Sequence, residues 1–211
     1  MFTMSTYKLK QADKPATSYH HGNLREALVA KGLELLESGQ SAEFSLRELS
    51  RQLGVSANAL YRHFASKDDL LSAMAAEGYR RLGTTQAMAM QTRSSPSDSF
   101  FESGRAYVNF ARQHPALFRL MFSRFSATNC DQEMRDASQL AFQGLRYGLA
   151  AVLELDVEDA VLATAAIHAW SLVHGMSQLI IDGQFDRHSK DIDAMVDDVL
   201  KHSAAYSKNK V

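Results

Sequence analysis

The chain is 211 residues long, 45% hydrophobic and 22% charged, which suits one domain with a good core or a small domain joined to a larger one. Its single cysteine, Cys130, excludes an intramolecular disulfide framework, and no apolar run approaches the roughly 18 residues that would span a bilayer. A net charge of −1 is not that of a polyanion binder, yet residues 1–67 hold nine Lys/Arg against six Asp/Glu and the remainder fourteen against eighteen. The mildly basic first third is compatible with phosphate binding at that end. The N-terminus, "MFTMSTYKLKQADKPATSYHH", lacks the apolar core of a signal peptide, so the cytoplasm is the expected compartment.

Residues 1–19, polar with Lys8, Lys10 and Lys14, read as a disordered arm in preference to one that enters a DNA groove. Asn23 and Glu26 have the spacing of a capping box, and Leu24, Leu28, Leu35 and Leu36, with Ala27 and Gly32, follow at helical spacing up to Gly39. Ser45 with Glu48, and Ser66 with Asp69, repeat that box. Three helix starts therefore precede residue 70, and strand-like alternation is absent, so the fold class is all-α. The longer helices that follow are expected from about Asp69 to Gln91, Asp98 to Gln113, Pro115 to Phe122, Glu133 to Glu154, Asp156 to a stop at Gly183, and Ser189 to Tyr206. The expected organisation is an arm (1–19), a three-helix helix–turn–helix unit (20–67), a larger helical regulatory and dimerisation unit (68–206) and a tail (207–211).

The segment "SLRELSRQLGVSANALYRHF", from Ser45 to Phe64, has helix–turn–helix anatomy. Leu46, Leu49 and Leu53 give the first helix an inner stripe, and small Ser50 lets the axes approach. Gly54 occupies the turn, where a positive φ is most cheaply accommodated. Ser56 can cap the second helix, which Leu60 and Phe64 anchor, leaving Ser56, Ala57, Asn58, Tyr61 and Arg62 near its start or outer face. Such a helix buries enough to be held and presents the rest to the major groove. Asn58 suits an adenine edge, and Ala57 or Ala59 a thymine methyl. Ser45, Arg47, Tyr61 and Lys67 suit phosphates.

"FSLRELSRQLGVSANALYRHFASKDDLLSAM" resembles the DNA-binding region of TetR-family transcriptional regulators, and the lead-in "YHHGNLREALVAKGLELLE" resembles that family's first helix. The resemblance covers about residues 19–75. It implies that Ser45, Ser56, Asn58, Tyr61, His63 and Lys67 lie at or near DNA. It also implies a homodimer on a near-palindromic operator, usually repressing, and released when a small molecule binds the C-terminal unit. "QHPALFRLMF" and "WSLVHGMSQLIIDG" resemble the subgroup whose long late helix carries a tryptophan and a histidine–glycine pair, here Trp170, His174 and Gly175.

In the larger unit, Phe101, Tyr107, Phe110, Phe118, Met121 and Phe122 supply more aromatic and soft apolar surface than a small bundle requires. Together with Phe100 and Phe125 they suggest a cavity between helices for a hydrophobic or aromatic effector. Trp170 and His174, four apart, share a helical face; ordinary packing with a hydrogen-bonded histidine is the preferred account, a pocket wall the other. Ala160, Ala163, Ala165, Ala166, Ala169 and Gly175, with Gly144 and Gly148 on the preceding helix, suggest close helix packing and dimerisation through these two helices.

No metal site is expected: His20 and His21 are adjacent, and His168 and His174 do not share a helical face. Phosphate-binding glycine loops and a nucleophile elbow are absent, so neither an enzyme nor a cofactor is expected. Asp131 beside Cys130 would raise its thiol pKa, favouring an inert cysteine. Two rival readings stay open: a DNA-bound scaffold governed by a protein partner, and a helical enzyme or carrier that merely contains the corner.

Overall fold

The computed structural model describes residues 24–39, 44–91, 93, 95–123, 131–185 and 191–208, the side chains of the last segment as far as residue 203. The expected N-terminal arm, Asn23, His20, His21, Phe125 and Cys130 lie outside the described residues. Among those described there are nine helices and no strand: α1 (Leu24–Glu37), α2 (Leu46–Gln52), α3 (Ala57–Tyr61), α4 (Lys67–Gln91), α5 (Pro96–Gln113), α6 (Pro115–Met121), α7 (Gln132–Leu153), α8 (Ala160–Ile181) and α9 (Ile192–Lys208). No described helix is long and apolar enough to cross a membrane.

Local chemistry sets most boundaries. Ser66 and Asp69 form the full reciprocal box that starts α4, with Asp69 N–H donating to Ser66 Oγ at 3.1 Å and Ser66 N–H to Asp69 Oδ2 at 2.8 Å. Two of the starts that differ from expectation have a clear local cause. Helix α5 begins at Pro96 rather than Asp98, because Ser95 caps it and the proline occupies a first-turn position where its missing N–H is harmless. Helix α8 begins at Ala160, not at Asp156: Glu154 turns left-handed (φ 56°) and ends α7, and Asp159 then caps α8 through Val161 N–H. Gly183, at φ 69°, closes that helix as expected.

Helix α4 organises the packing. Leu70, Ala73 and Met74 near its start are buried with Leu28, Leu33, Leu49, Leu60 and Phe64, while Leu82 further along shares the same core with Val108, Leu117, Phe118 and Met121. One continuous core thus runs from the helix–turn–helix into the larger helical array. The residues around Leu149, Leu162 and Ala166 form a second cluster where α7 meets α8. Two glycines mark close approaches along α4: a Cβ on Gly78 would stand 2.6 Å from Met121 Sδ, and one on Gly32 would stand 2.8 Å from Met74 Sδ.

Ionic links reinforce the junction. Arg25 of α1 pairs with Glu133 of α7, which also takes Arg80 of α4 at 3.1 Å; Arg80 and Arg81 both reach Glu77 at 3.0 Å. Burial alone would raise the Glu77 pKa, but the two guanidinium groups outweigh it and hold the carboxyl below its ordinary value. Arg119 of α6 donates to Ile181 O at 3.0 Å and pairs with Asp182 at 2.7 Å, satisfying the C-terminal end of α8.

Candidate functional site

The helix–turn–helix is built from short-range bonds on a buried base. Glu48 N–H donates to Ser45 Oγ at 3.1 Å and Ala59 N–H to Ser56 Oγ at 3.2 Å, so both serines cap their helices. The Ser45–Glu48 box is only half made. The Glu48 carboxylate accepts instead from Arg51 (2.6 and 3.0 Å) and Gln52 (3.0 Å), and the Arg51 hydrogen bonds draw its pKa down to about 2. Between the helices Gly54 takes φ +67° with nothing within 4 Å of its would-be Cβ, so backbone conformation alone demands glycine there. Buried Ser50 donates to Arg47 O at 2.9 Å, and Val55 N–H returns to Ser50 O at 3.0 Å, fixing the corner.

This base leaves one face free. Leu49 and Leu60 are fully buried and Phe64 nearly so, while Ser45, Arg47, Ser56, Asn58, Tyr61, Arg62 and His63 are exposed and Ala57 and Lys67 half-buried. Ser45, Arg47, Tyr61, Ser66 and Lys67 line a single shallow depression with Phe44, Leu46 and Ala65. The four residues expected to suit phosphate thus meet around one concavity, although two come from α2, one from α3 and one from α4. Lys67 Nζ sits 5.6 Å over the Phe44 ring, a cation–π contact that steadies its charge at the rim. Phe44 is not marked by the sequence as a member of this face, and the sequence brings Ser66 to it only through the positive end of the helix that begins there.

The second candidate region lies where α5, α6 and α8 meet. Tyr107, Phe110, Phe118 and Met121 are buried, Phe101, Phe122 and His174 half-buried, and Trp170 is 38% exposed. The rings close on one another: His174 lies 4.6 Å from Phe122 edge-on, 5.3 Å from Phe118 in a stacked arrangement, and 6.0 Å from Trp170. Tyr107 bonds His174 Nδ1 at 3.0 Å and accepts from Trp170 Nε1 at 3.3 Å. Burial raises the Tyr107 pKa and lowers that of His174. Phe110 faces His114 instead, at 5.0 Å, and Phe101 packs along the edge of the main core, so neither ring touches His174 in this cluster. Tyr79, 5.4 Å from Phe122, and Phe142, 5.9 Å from Trp170, complete it; both stand on neighbouring helices where sequence spacing alone does not reveal the contact.

The small residues of the late helices divide. Gly148 is buried and a Cβ there would meet Phe100 at 3.2 Å, and Ala166 is fully buried, so these serve packing within the chain rather than a surface between chains. Gly144 and Gly175 face open space. Around them stand the exposed apolar side chains of Leu140, Tyr147, Ile167 and Leu179. Among the described residues no group of three His, Cys, Asp or Glu could hold a metal ion.

Comparison with known proteins matches both parts of the chain. Residues 28–74 match the family model described as bacterial regulatory proteins, tetR family, and residues 100–202 match the tetracyclin repressor-like C-terminal domain. HTH-type transcriptional regulators of Mycobacterium bovis and Mycobacterium tuberculosis are 33% identical over 105 residues, a stretch that is 46% of this chain and 44% of each relative. The match therefore spans less than half the length of these curated relatives. A solved protein of unknown function from Rhodococcus sp. RHA1 is 28% identical with a TM-score of 0.73, covering 90% of this chain and 96% of that one. A bacterial regulatory protein in the tetR family from Rhodococcus RHA1, 18% identical with a TM-score of 0.60 over 86% of this chain and 95% of that one, shares the fold.

Proposed function

This chain belongs to the tetR family of bacterial regulatory proteins, and on that premise we propose that it is a sequence-specific DNA-binding regulator of transcription acting as a homodimer. The observation that carries the reading is the depression shared by Ser45, Arg47, Tyr61, Ser66 and Lys67 beside the exposed Asn58. Cations and hydroxyls on three helices converge there at phosphate-binding positions, while α3 presents a short polar edge that a major groove accommodates. The simplest mode of action is repression of a near-palindromic operator, with release caused by a small hydrophobic or aromatic effector bound among Tyr107, Phe118, Phe122, Trp170 and His174. The site of action is then the cytoplasm, where bacterial DNA lies.

Two copies are needed because recognition helices must stand about 34–36 Å apart to enter successive major grooves. The exposed Leu140 and Tyr147 of α7, with Ile167 and Leu179 of α8, supply an apolar surface for the second copy. Effector binding then changes the spacing by a rigid-body tilt, a coupling of about 1–3 kcal/mol. One observation favours a second reading: the aromatic rings are packed on one another, which suits a regulator governed by a protein partner that presses on the outside.

Fluorescence anisotropy of a labelled operator fragment tests the DNA reading. Binding is expected to weaken steeply with added salt and to be lost in a Tyr61→Ala/Lys67→Ala double variant that still melts like the parent. Salt-insensitive binding, or binding untouched by that variant, would contradict it.

A further inference from the structure

The hydrogen bonds of the Tyr107 cluster determine where one proton sits. An indole N–H only donates, so Trp170 Nε1 spends it on the Tyr107 oxygen at 3.3 Å. The hydroxyl proton of Tyr107, a residue only 5% exposed, must then reach an acceptor, since buried hydroxyls do not stay unpaired. His174 Nδ1, at 3.0 Å, is that acceptor. A neutral imidazole with its Nδ1 lone pair engaged carries its hydrogen on Nε2. Burial among Phe118, Phe122 and Trp170 keeps the ring neutral, in line with its lowered pKa.

Among the described residues His174 makes no other hydrogen bond, which leaves the Nε2–H donor unspent there. The ring is half-buried: within reach from outside, yet walled by aromatic carbon. We infer that His174 Nε2–H, oriented by Tyr107, is the polar anchor of the effector site, and that the effector is a flat apolar molecule bearing a hydrogen-bond acceptor such as a ketone or ester oxygen. This rests on the effector reading above and narrows it. A hydrocarbon of the same shape leaves the donor unpaired on binding, and an ammonium group, which has no lone pair, cannot accept from it. Specificity of this kind arises because a buried donor discriminates against ligands that cannot meet it. Trp170 stands edge-on to the imidazole at 6.0 Å and, as the single tryptophan in the chain, reports on the site directly.

The test uses the full-length protein and two probes of one shape, acetylnaphthalene and isopropenylnaphthalene, titrated against Trp170 fluorescence. The ketone is expected to bind the parent about tenfold more tightly than the alkene. That preference is expected to disappear in His174→Phe, to survive in His174→Gln, whose amide N–H can stand in for Nε2–H, and to shrink in Tyr107→Phe. Nitrogen NMR of the unliganded protein is expected to show His174 protonated at Nε2 and bare at Nδ1, a readout that needs no ligand and no DNA. Equal binding of both probes, or a preference unchanged in His174→Phe, would overturn the anchor while leaving the effector site standing. An Nδ1-protonated ring would overturn it independently of any probe. If neither probe perturbs Trp170 up to its solubility limit, the effector site itself falls and the anchor with it.

Discussion

Glu37, the last residue of α1, and His114, the residue between α5 and α6, meet at 2.8 Å through Oε1 and Nδ1 across 77 positions of sequence. The bond ties the helix that supports the DNA-facing corner to the joint between α5 and α6, next to the aromatic cluster. A shift of α6 must therefore carry α1 with it or break this contact. Both side chains are about a third exposed, so the pair is worth little in itself. A double-mutant cycle with Glu37→Gln and His114→Ala, followed by chemical denaturation, is expected to give a coupling of about 0.2–1 kcal/mol.

The residues proposed to face DNA separate by role. Lys67→Ala is expected to weaken binding to all duplexes alike and to reduce the slope of log affinity against log salt by about one, if Lys67 makes the proposed phosphate contact. Asn58→Ala is expected to lose about 1–3 kcal/mol on the operator and to relax selectivity at one base step. Anisotropy titrations on operator and scrambled duplexes at several salt concentrations distinguish the two patterns.

Two glycines are expected to respond to alanine for different reasons. At Gly54 the Cβ would find open space, so Gly54→Ala carries only the left-handed backbone penalty, about 1 kcal/mol. At Gly78 it would press on Met121 Sδ and Cγ at 2.6 and 2.8 Å and Leu117 Cδ1 at 3.0 Å, and overpacking there is expected to cost about 1–3 kcal/mol. Thermal unfolding measures both losses; an unchanged melting temperature for Gly78→Ala would mean that the Met121 side chain gives way.

Gly144 lies in mid-helix, with no described residue within 4 Å of a would-be Cβ. Gly144→Ala is expected to favour the helix of an isolated subunit by up to about 1 kcal/mol while weakening association of the two copies. Leu140→Asp, on the same face, is expected to abolish the dimer without unfolding the subunit. Sedimentation equilibrium at micromolar concentration, with circular dichroism as the folding control, reads both; a parent chain that sediments as a monomer would remove the dimer from the account.

Half-buried His174 adds a pH dependence of known sign. The unfolded imidazole takes up a proton near its ordinary value of 6.5, while the folded ring, desolvated among aromatics, resists until lower pH. Stability from this group is thus fully present above 6.5 and erodes as pH falls through that value. The fall in stability from about pH 7.5 to about pH 5.5 is expected to be shallower in His174→Gln than in the parent, measured by urea denaturation at each pH.

Local chemistry was legible wherever neighbouring residues settle it. Ser45, Ser56 and Ser66 announce their helix starts, Gly54 its turn, and Leu49, Leu60 and Phe64 the buried base of the corner. Pro96 misled because a proline in a polar stretch reads equally as a breaker or as a first-turn residue, and only the Ser95 cap decides. Glu154 gave no hint of its left-handed turn, a conformation usually marked by glycine or asparagine. The Arg25–Glu133 pair, 108 positions apart, and the split between packed Gly148 and open Gly144 depend on which helices become neighbours, which periodicity does not encode. For the same reason the aromatic residues were identifiable as a set, whereas the Trp170–Tyr107–His174 hydrogen bonds were not.

The most direct test of the central claim is to incubate the purified protein with fragmented genomic DNA at near-physiological salt and sequence what it retains. The account expects enrichment of a near-palindromic sequence, its half-sites about one helical turn or a multiple apart, that disappears with the Tyr61→Ala/Lys67→Ala variant. Enrichment without sequence preference, or none at all, would contradict it and leave this helical scaffold with a role other than reading DNA.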